Sequence, residues 1–395
     1  MLLLKLLLAL YCLKVVVYFI LLLNRKLNNN TFRKRGVREN TLSVDIVLPM
    51  YNEEDVVVKT IKNLLGITCR EFSIIVIDDG STDKSYDLVN THFSDEPRVR
   101  LMRQQNAGKS SALNRAMNSS QSDIIICIDA DTLVRPDVID KILPYFQDEK
   151  VAAVSGYVKV GNRVNILTDM QYIEYLTVQN HERMIFEYIN GILVVPGALG
   201  AFRRSAVEEV GGFTSEALAE DCDITLRMLC RNYVIKNASE AMSFTEAPIT
   251  AKMFFKQRVR WTVGLVQGLL KHAKQLASQS NKALAYLVVP YTWLYRVVLP
   301  FFVPLVDYFF IYAYFFLGHH ELLKYYLFCI LIEVSSSLFI LLQKGERINP
   351  FKLIILQRVF RHLTCVIYLN IFLRWLNGNL YGWGKIPRQG NVKLD

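Results

Sequence analysis

The strongest constraint on this chain is where its apolar residues lie: they crowd at its two ends. Met1 to Leu23, "MLLLKLLLALYCLKVVVYFILLL", is long enough as a helix to cross the roughly 30 Å hydrocarbon layer of a bilayer. Leu299–Leu317 and Leu322–Leu342 each suit a crossing as well. At 395 residues, 52% hydrophobic and 21% charged, the chain is richer in apolar residues than an ordinary soluble enzyme. Its mean hydropathy of +0.22 is nonetheless low for a protein made only of membrane helices. The chain is long enough for two or more domains, and a polar middle is expected between membrane segments.

A cleaved signal peptide is the rival reading of Met1–Leu23, and no small-residue cleavage site precedes Asn24-Arg25-Lys26. Basic residues beside a membrane helix favour the cytoplasmic face. Arg25, Lys26, Arg33, Lys34, Arg35 and Arg38 thus predict a multi-pass protein of the cell (inner) membrane with its middle in the cytosol. These flanking charges also account for much of the formal net charge of +10. No basic helix interleaved with aromatics appears, so the expected partner is membrane lipid and not nucleic acid. The seven cysteines form no CxxC pair, which argues against a disulfide framework or zinc site.

Two C-terminal segments are harder to read. Leu353–Leu373 is apolar but carries Arg358, Arg361 and His362 near its middle, which predicts a broken, re-entrant or interfacial segment. Tyr286–Val298, interrupted by Pro290 and carrying Arg296, reads as an interfacial helix. The expected organisation is an anchor at 1–23, a basic linker at 24–43, a cytosolic domain at 44–282, interfacial and transmembrane helices at 283–374, and a tail at 375–395.

From Val44 to about Phe202 short apolar runs alternate with helical stretches. "VDIVLPM", "FSIIVID", "RVRLMRQ" and "SDIIICID" read as strands, with helices at Val56–Leu65 and Ser110–Met117 and another opened by Pro136. The alternation predicts an α/β fold with a mainly parallel sheet. Ligands gather beyond the carboxyl ends of such strands, where Asp78-Asp79 and Asp129-Ala130-Asp131 fall.

Several short stretches carry candidate chemistry. Gly108-Lys109-Ser110 looks like the end of a phosphate-binding P-loop, but Arg103 stands where that loop needs its first glycine. ATPase chemistry is excluded on spacing, while a phosphate contact by Lys109 is not. Asp129 and Asp131 suit a hard divalent cation that also bridges to substrate phosphates, and they serve equally as turn and cap residues. An EF-hand is excluded, because its fifth and sixth places hold Leu133 and Val134. Glu220-Asp221 could cap the helix that follows or supply a base. In "QRVRW", Gln257, Arg260 and Trp261 share one helical face that suits a sugar and a phosphate leaving group, or else a membrane surface.

In their order "PMYNE", "DDGS", "NAGKSSALNRA", "DAD", "AED" and "QRVRW", these stretches resemble the family-two glycosyltransferases. The likeness is greatest to the membrane-embedded processive group of cellulose, hyaluronan and poly-N-acetylglucosamine synthases, and it covers about Val44 to Lys274. It implies a GT-A-like domain that moves a sugar from a UDP-sugar donor to a glycan or lipid-linked glycan acceptor, inverting the anomeric centre. By the same resemblance Tyr51 and Asp79 hold the uracil, and Lys109 contacts the diphosphate. Asp129 and Asp131 bind the donor with Mg²⁺ or Mn²⁺, and Asp221 beside Glu220 is the general base. Gln257, Arg260 and Trp261 then face the acceptor and diphosphate, "PGALGAFRR" lines the acceptor site, and N-acetylglucosamine is the first expectation for the sugar. The group admits an accessory membrane subunit. Transfer of one sugar to a lipid or short glycan is the alternative activity, and an inactive membrane scaffold the alternative of another class.

Overall fold

The structure, a computed structural model, describes residues 42–69, 71–377 and 390–394. The expected anchor Met1–Leu23, the basic segment Asn24–Arg38 and most of the 375–395 tail lie outside these residues.

The strands are β1 (Val44–Met50), β2 (Ser73–Asp78), β3 (Val99–Arg103), β4 (Ile124–Cys127), β5 (Leu133–Val134), β6 (Val151–Val160), β7 (Gly200–Arg203) and β8 (Val234–Thr245). They form one eight-stranded sheet in the order β3-β2-β1-β4-β7-β6-β8-β5. The first four are parallel neighbours. β7 runs antiparallel to β4 and β6, β8 pairs parallel with β6, and β5 antiparallel with β8. The expected parallel α/β half is thus joined to a mixed half.

Strands covered on both faces must be apolar on both, and β1, β2 and β4 are. Val47, Ile75, Ile77, Ile125 and Cys127 point to one core with Ala112, Leu113, Ala116 and Met117 of helix α3 (Lys109–Ser119). Leu226, Met228 and Leu229 of α4 (Glu220–Cys230) complete that layer. Ile46, Leu48, Ile74, Val76, Ile124 and Ile126 point the other way, onto α1 (Val57–Leu65) and α2 (Ser85–Phe93). Successive residues of a strand face opposite sides, so one apolar run feeds both cores.

Helix α5 (Ala251–Lys271) begins with the Thr250 hydroxyl accepting from the Met253 amide at 3.3 Å. It packs unusually close to the start of α4. A Cβ on Gly264 would lie 2.5 Å from Ala219 Cβ, so only glycine lets the two helices approach this far.

The C-terminal helices correct one expectation and bear on another. Leu284 to Phe315 runs as one helical path that includes π segments at Leu284–Val288 and Trp293–Val298 and ends in α6 (Leu299–Phe315). Its stretch Leu284–Phe302, which contains the expected interfacial segment Tyr286–Val298, is long and apolar enough to cross a membrane. Wide turns flank Pro290, which has no N–H to place in the ladder, and Arg296 is neutralised by Glu182. The other candidate spans are α7 (Glu321–Gln343) and α8 (Pro350–Leu376). Leu353–Leu373 is therefore unbroken, and its charges meet acids on neighbouring helices. Arg358 pairs with Asp307 of α6 at 2.8 Å and Glu333 of α7 at 3.0 Å, and Arg361 pairs with Glu333. Phe315, Leu331, Phe351 and Ile355 leave an uncovered apolar exterior, as a lipid-facing surface requires.

Candidate active site

The site is assembled from strand ends and helix starts. Beyond β2, Asp79 is buried and both of its oxygens are engaged. Oδ1 accepts from Gln104 Nε2 at 2.7 Å and from the Ala107 amide at 2.9 Å, and Oδ2 from the Gly108 amide at 2.8 Å. Asp79 thereby shapes the loop leading into α3. Tyr51, half-buried, follows β1 in the adjacent turn.

Lys109 is the first residue of α3. Its Nζ lies 2.6 Å from Asp129 Oδ1 and 3.1 Å from Glu220 Oε1, so one ammonium joins the end of β4 to the start of α4. Burial opposes its charge, but Asp129 and Glu220 outweigh burial and hold the lysine above its ordinary value. Asp131 is buried beside the Thr132 and Thr245 hydroxyls, which reach its Oδ1 at 3.1 and 3.4 Å.

At the start of α4 the N-cap is Ala219, which has no side-chain cap, and Glu220, Asp221 and Asp223 occupy the first turn. Carboxylates are favoured there by the helix dipole. Asp221 is therefore inside the helix, with Oδ1 accepting from the Cys222 amide at 2.8 Å. The two neighbours titrate in opposite directions. Burial also opposes ionisation of Glu220, but Lys109 and then Arg260 hold its carboxyl below the ordinary value. Burial, and then the negative charge of Glu220, push Asp221 up to about 6. Asp223, one turn position on, is tied instead to Thr214, Arg227, Lys271 and His272 and fastens α4 to α5.

Helix α5 brings the remaining groups. Gln257 is buried, and its Oε1 meets no hydrogen-bond donor among the described residues. Arg260 makes no direct hydrogen bond or ion pair with them, although its charge is felt at Glu220 and Asp221. The Trp261 ring packs near Tyr175, with the Arg258 guanidinium 4.7 Å from its centroid.

Lys109, Asp129, Glu220, Asp221, Gln257, Arg260 and Trp261 all line one cavity of about 980 Å³. It continues among the C-terminal helices to Arg296, Glu333 and Arg358. Tyr51, Asp79 and Asp131 are not on its wall. They lie at the strand-end side, with Asp129 between the two regions. Sequence reading missed Arg258, which grips Glu174 through two 2.7 Å bonds and sits over three aromatic rings. Its partner is 84 residues away, so no local spacing marks it.

Comparison with known proteins bears on the fold and the family. Residues 45–211 match the family described as Glycosyl transferase family 2. A poly-beta-1,6-N-acetyl-D-glucosamine synthase of Staphylococcus aureus is 30% identical over 250 residues, which cover 63% of this chain and 59% of the relative. The Staphylococcus epidermidis synthase of the same name is 26% identical over 275 residues, covering 68% of this chain and 67% of the relative. The chain thus matches less than two thirds of the S. aureus relative. A solved structure of a mannosyltransferase from Pyrobaculum calidifontis, in complex with GDP-Man and Mn²⁺, shares the fold. It has a TM-score of 0.62 at 18% identity and covers 93% of this chain and 98% of its own. Glu220, Asp221 and the whole of α5 lie beyond the family-matched residues.

Proposed function

We propose that this chain is a membrane-associated inverting glycosyltransferase that moves N-acetylglucosamine from its UDP-sugar onto a growing β-linked polysaccharide. The observation that carries the reading is the convergence of Lys109, Asp129, Asp221 and Arg260 on one cavity that continues into the C-terminal helices. Similarity to the staphylococcal synthases supports the donor sugar and the polymeric product.

In this reading Asp221 accepts the proton of the acceptor hydroxyl as that oxygen attacks the anomeric carbon from the face opposite UDP. A carboxylate whose pKa is raised to about 6 is still ionised near neutrality, yet is basic enough to take a proton in the transition state. Lys109 and Arg260 receive the charge that develops on the leaving diphosphate. Gln257 offers its unpaired oxygen to a hydroxyl of the acceptor, and Trp261 forms an apolar wall for a sugar ring. Tyr51 and the loop shaped by Asp79 bound the uracil.

Asp129 and Asp131 suit Mg²⁺ or Mn²⁺. They are hard oxygen donors, and no three Asp, Glu, His or Cys side chains among the described residues close a protein-only cage. Held by these two carboxylates, such a cation would supply Lewis-acid stabilisation of the diphosphate leaving group.

The domain spans 44–282, with membrane-associated helices at 283–374 in a multi-pass inner-membrane protein whose catalytic side is cytosolic. Protease added to intact cells should then leave Val44–Lys274 uncut. The activity is tested by giving membranes a panel of UDP-sugars, with and without glycan or lipid-linked acceptor, and sizing the product by mass. A ladder of β-linked N-acetylhexosamine is expected. Addition of one sugar to a lipid would assign the non-processive alternative, and no UDP release would leave the scaffold reading.

A further inference from the structure

Gly390–Lys393 folds back onto the domain behind the strand-end carboxylates. Val392 is 3% exposed and packs with Leu133 of β5 and Phe244 of β8. Lys59 of α1 donates from Nζ to the carbonyls of Gly390 at 3.2 Å and Val392 at 2.5 Å. The Gly390 amide donates to Glu246 Oε2 at 2.9 Å, and the Lys393 amide to the Gly161 carbonyl at 3.0 Å. A Cβ on Gly161 would lie 2.5 Å from Val392 Cγ1, so the contact depends on that glycine.

The surfaces gathered here are those that hold Asp129-Ala130-Asp131 in place. Thr60, next to Lys59, donates to the Ala130 carbonyl at 2.6 Å. Asn63 of the same helix brackets Val134, donating to its carbonyl at 3.1 Å and accepting from its amide at 2.7 Å. Leu133 is paired with Phe244 across the β5–β8 ladder, and the Thr245 hydroxyl reaches Asp131. The Gly161 amide donates to the Thr245 carbonyl at 2.9 Å. One short segment therefore ties α1 to the ends of β6 and β8, across the support of both aspartates.

We propose that Gly390–Lys393 is a positioning strap for Asp129 and Asp131, setting donor affinity without touching the reacting atoms. The proposal rests on the reading of those carboxylates as the donor site. Side chains that orient ligating carboxylates act on affinity through the ligands they hold.

The test compares the full chain with a deletion of residues 390–395 and with Val392→Asp, using Val392→Ile as the conservative variant. The donor KM should rise about tenfold in the deletion and in Val392→Asp, the lower end of what loss of outer support costs a ligand set. Because this loss falls on binding, kcat should stay within about twofold. Val392→Ile should behave as the unchanged chain. A merely structural role would lower the active fraction, reducing kcat with KM unchanged, and that result overturns the strap. Hydrogen exchange gives a readout independent of turnover: amides of Ala130–Val134 should lose protection in the deletion, and unchanged protection also overturns it. Asp131→Ala is the control for the donor-site reading. If the unchanged chain turns over no UDP-sugar while exchange responds to the deletion, the functional reading fails and the mechanical role stands.

Discussion

Among the C-terminal helices, Arg358 is matched by Asp307 and Glu333, Arg361 by Glu333, and Arg296 by Glu182. At the strand ends the arrangement is different. Lys109 is shared between Asp129 and Glu220, Asp221 is held at a raised pKa, and Arg260 has no direct partner among the described residues. The first region satisfies each cation within the fold, as charge buried between helices must be. The second leaves an amide oxygen, a guanidinium and a basic carboxylate facing open volume. The lesson is that incomplete pairing beside a cavity marks chemistry, whereas complete pairing marks architecture.

Predictions can break that contrast. Asp131→Ala should abolish turnover while the protein stays in the membrane fraction, and excess chelator should do the same to the unchanged enzyme. Full activity in chelator would remove the metal from the account. In the paired region Glu333→Gln removes the acid that Arg361 meets while Arg358 keeps Asp307, and a broken buried pair costs about 3–5 kcal/mol. Thermal unfolding in detergent should report that loss, and an unchanged midpoint would show that the helices do not rely on the pairing. Gly264→Ala forces α5 away from Ala219 and should cost about 1–3 kcal/mol, as overpacking does. Turnover should fall as well, because Gln257 and Arg260 move relative to Asp221, and a variant as active as its parent would argue against that geometry.

The mildest perturbation is pH. A base at Asp221 would act ionised, and acid removes that form, so kcat/KM should fall on the acid side of about pH 6. A profile flat through that region would detach the raised carboxyl from the rate.

Much of the contrast is legible in the sequence, but unevenly. β1, β2 and β4 declare themselves as short apolar runs followed by acids or a turn, and that pattern alone puts Asp79, Asp129 and Asp131 at strand ends. β6 and β8 do not. "VAAVSGYVKV" is buried throughout and has no period, while "VIKNASEAMSFT" looks polar although most of it is buried. Their pairing follows from tertiary covering and not from local pattern. The helical charges mislead for the same reason. Arg358 looks prohibitive in an apolar helix, yet the fold sets Asp307, 51 residues earlier, beside it. The strap is equally silent, since nothing in "GNVK" announces that a lysine on α1 awaits its carbonyls.

The central claim is that Asp221 is the base and not simply part of a helix start. Asn has the shape of Asp and its amide oxygen can still accept from the Cys222 amide, so Asp221→Asn should preserve the fold while removing the proton acceptor. Donor affinity and single-turnover transfer should be measured together on this variant. The account predicts near-normal UDP-sugar binding with transfer slowed by at least about 10²-fold, the lower bound of general-base catalysis. Near-normal transfer would contradict it and return Asp221 to a structural role in α4.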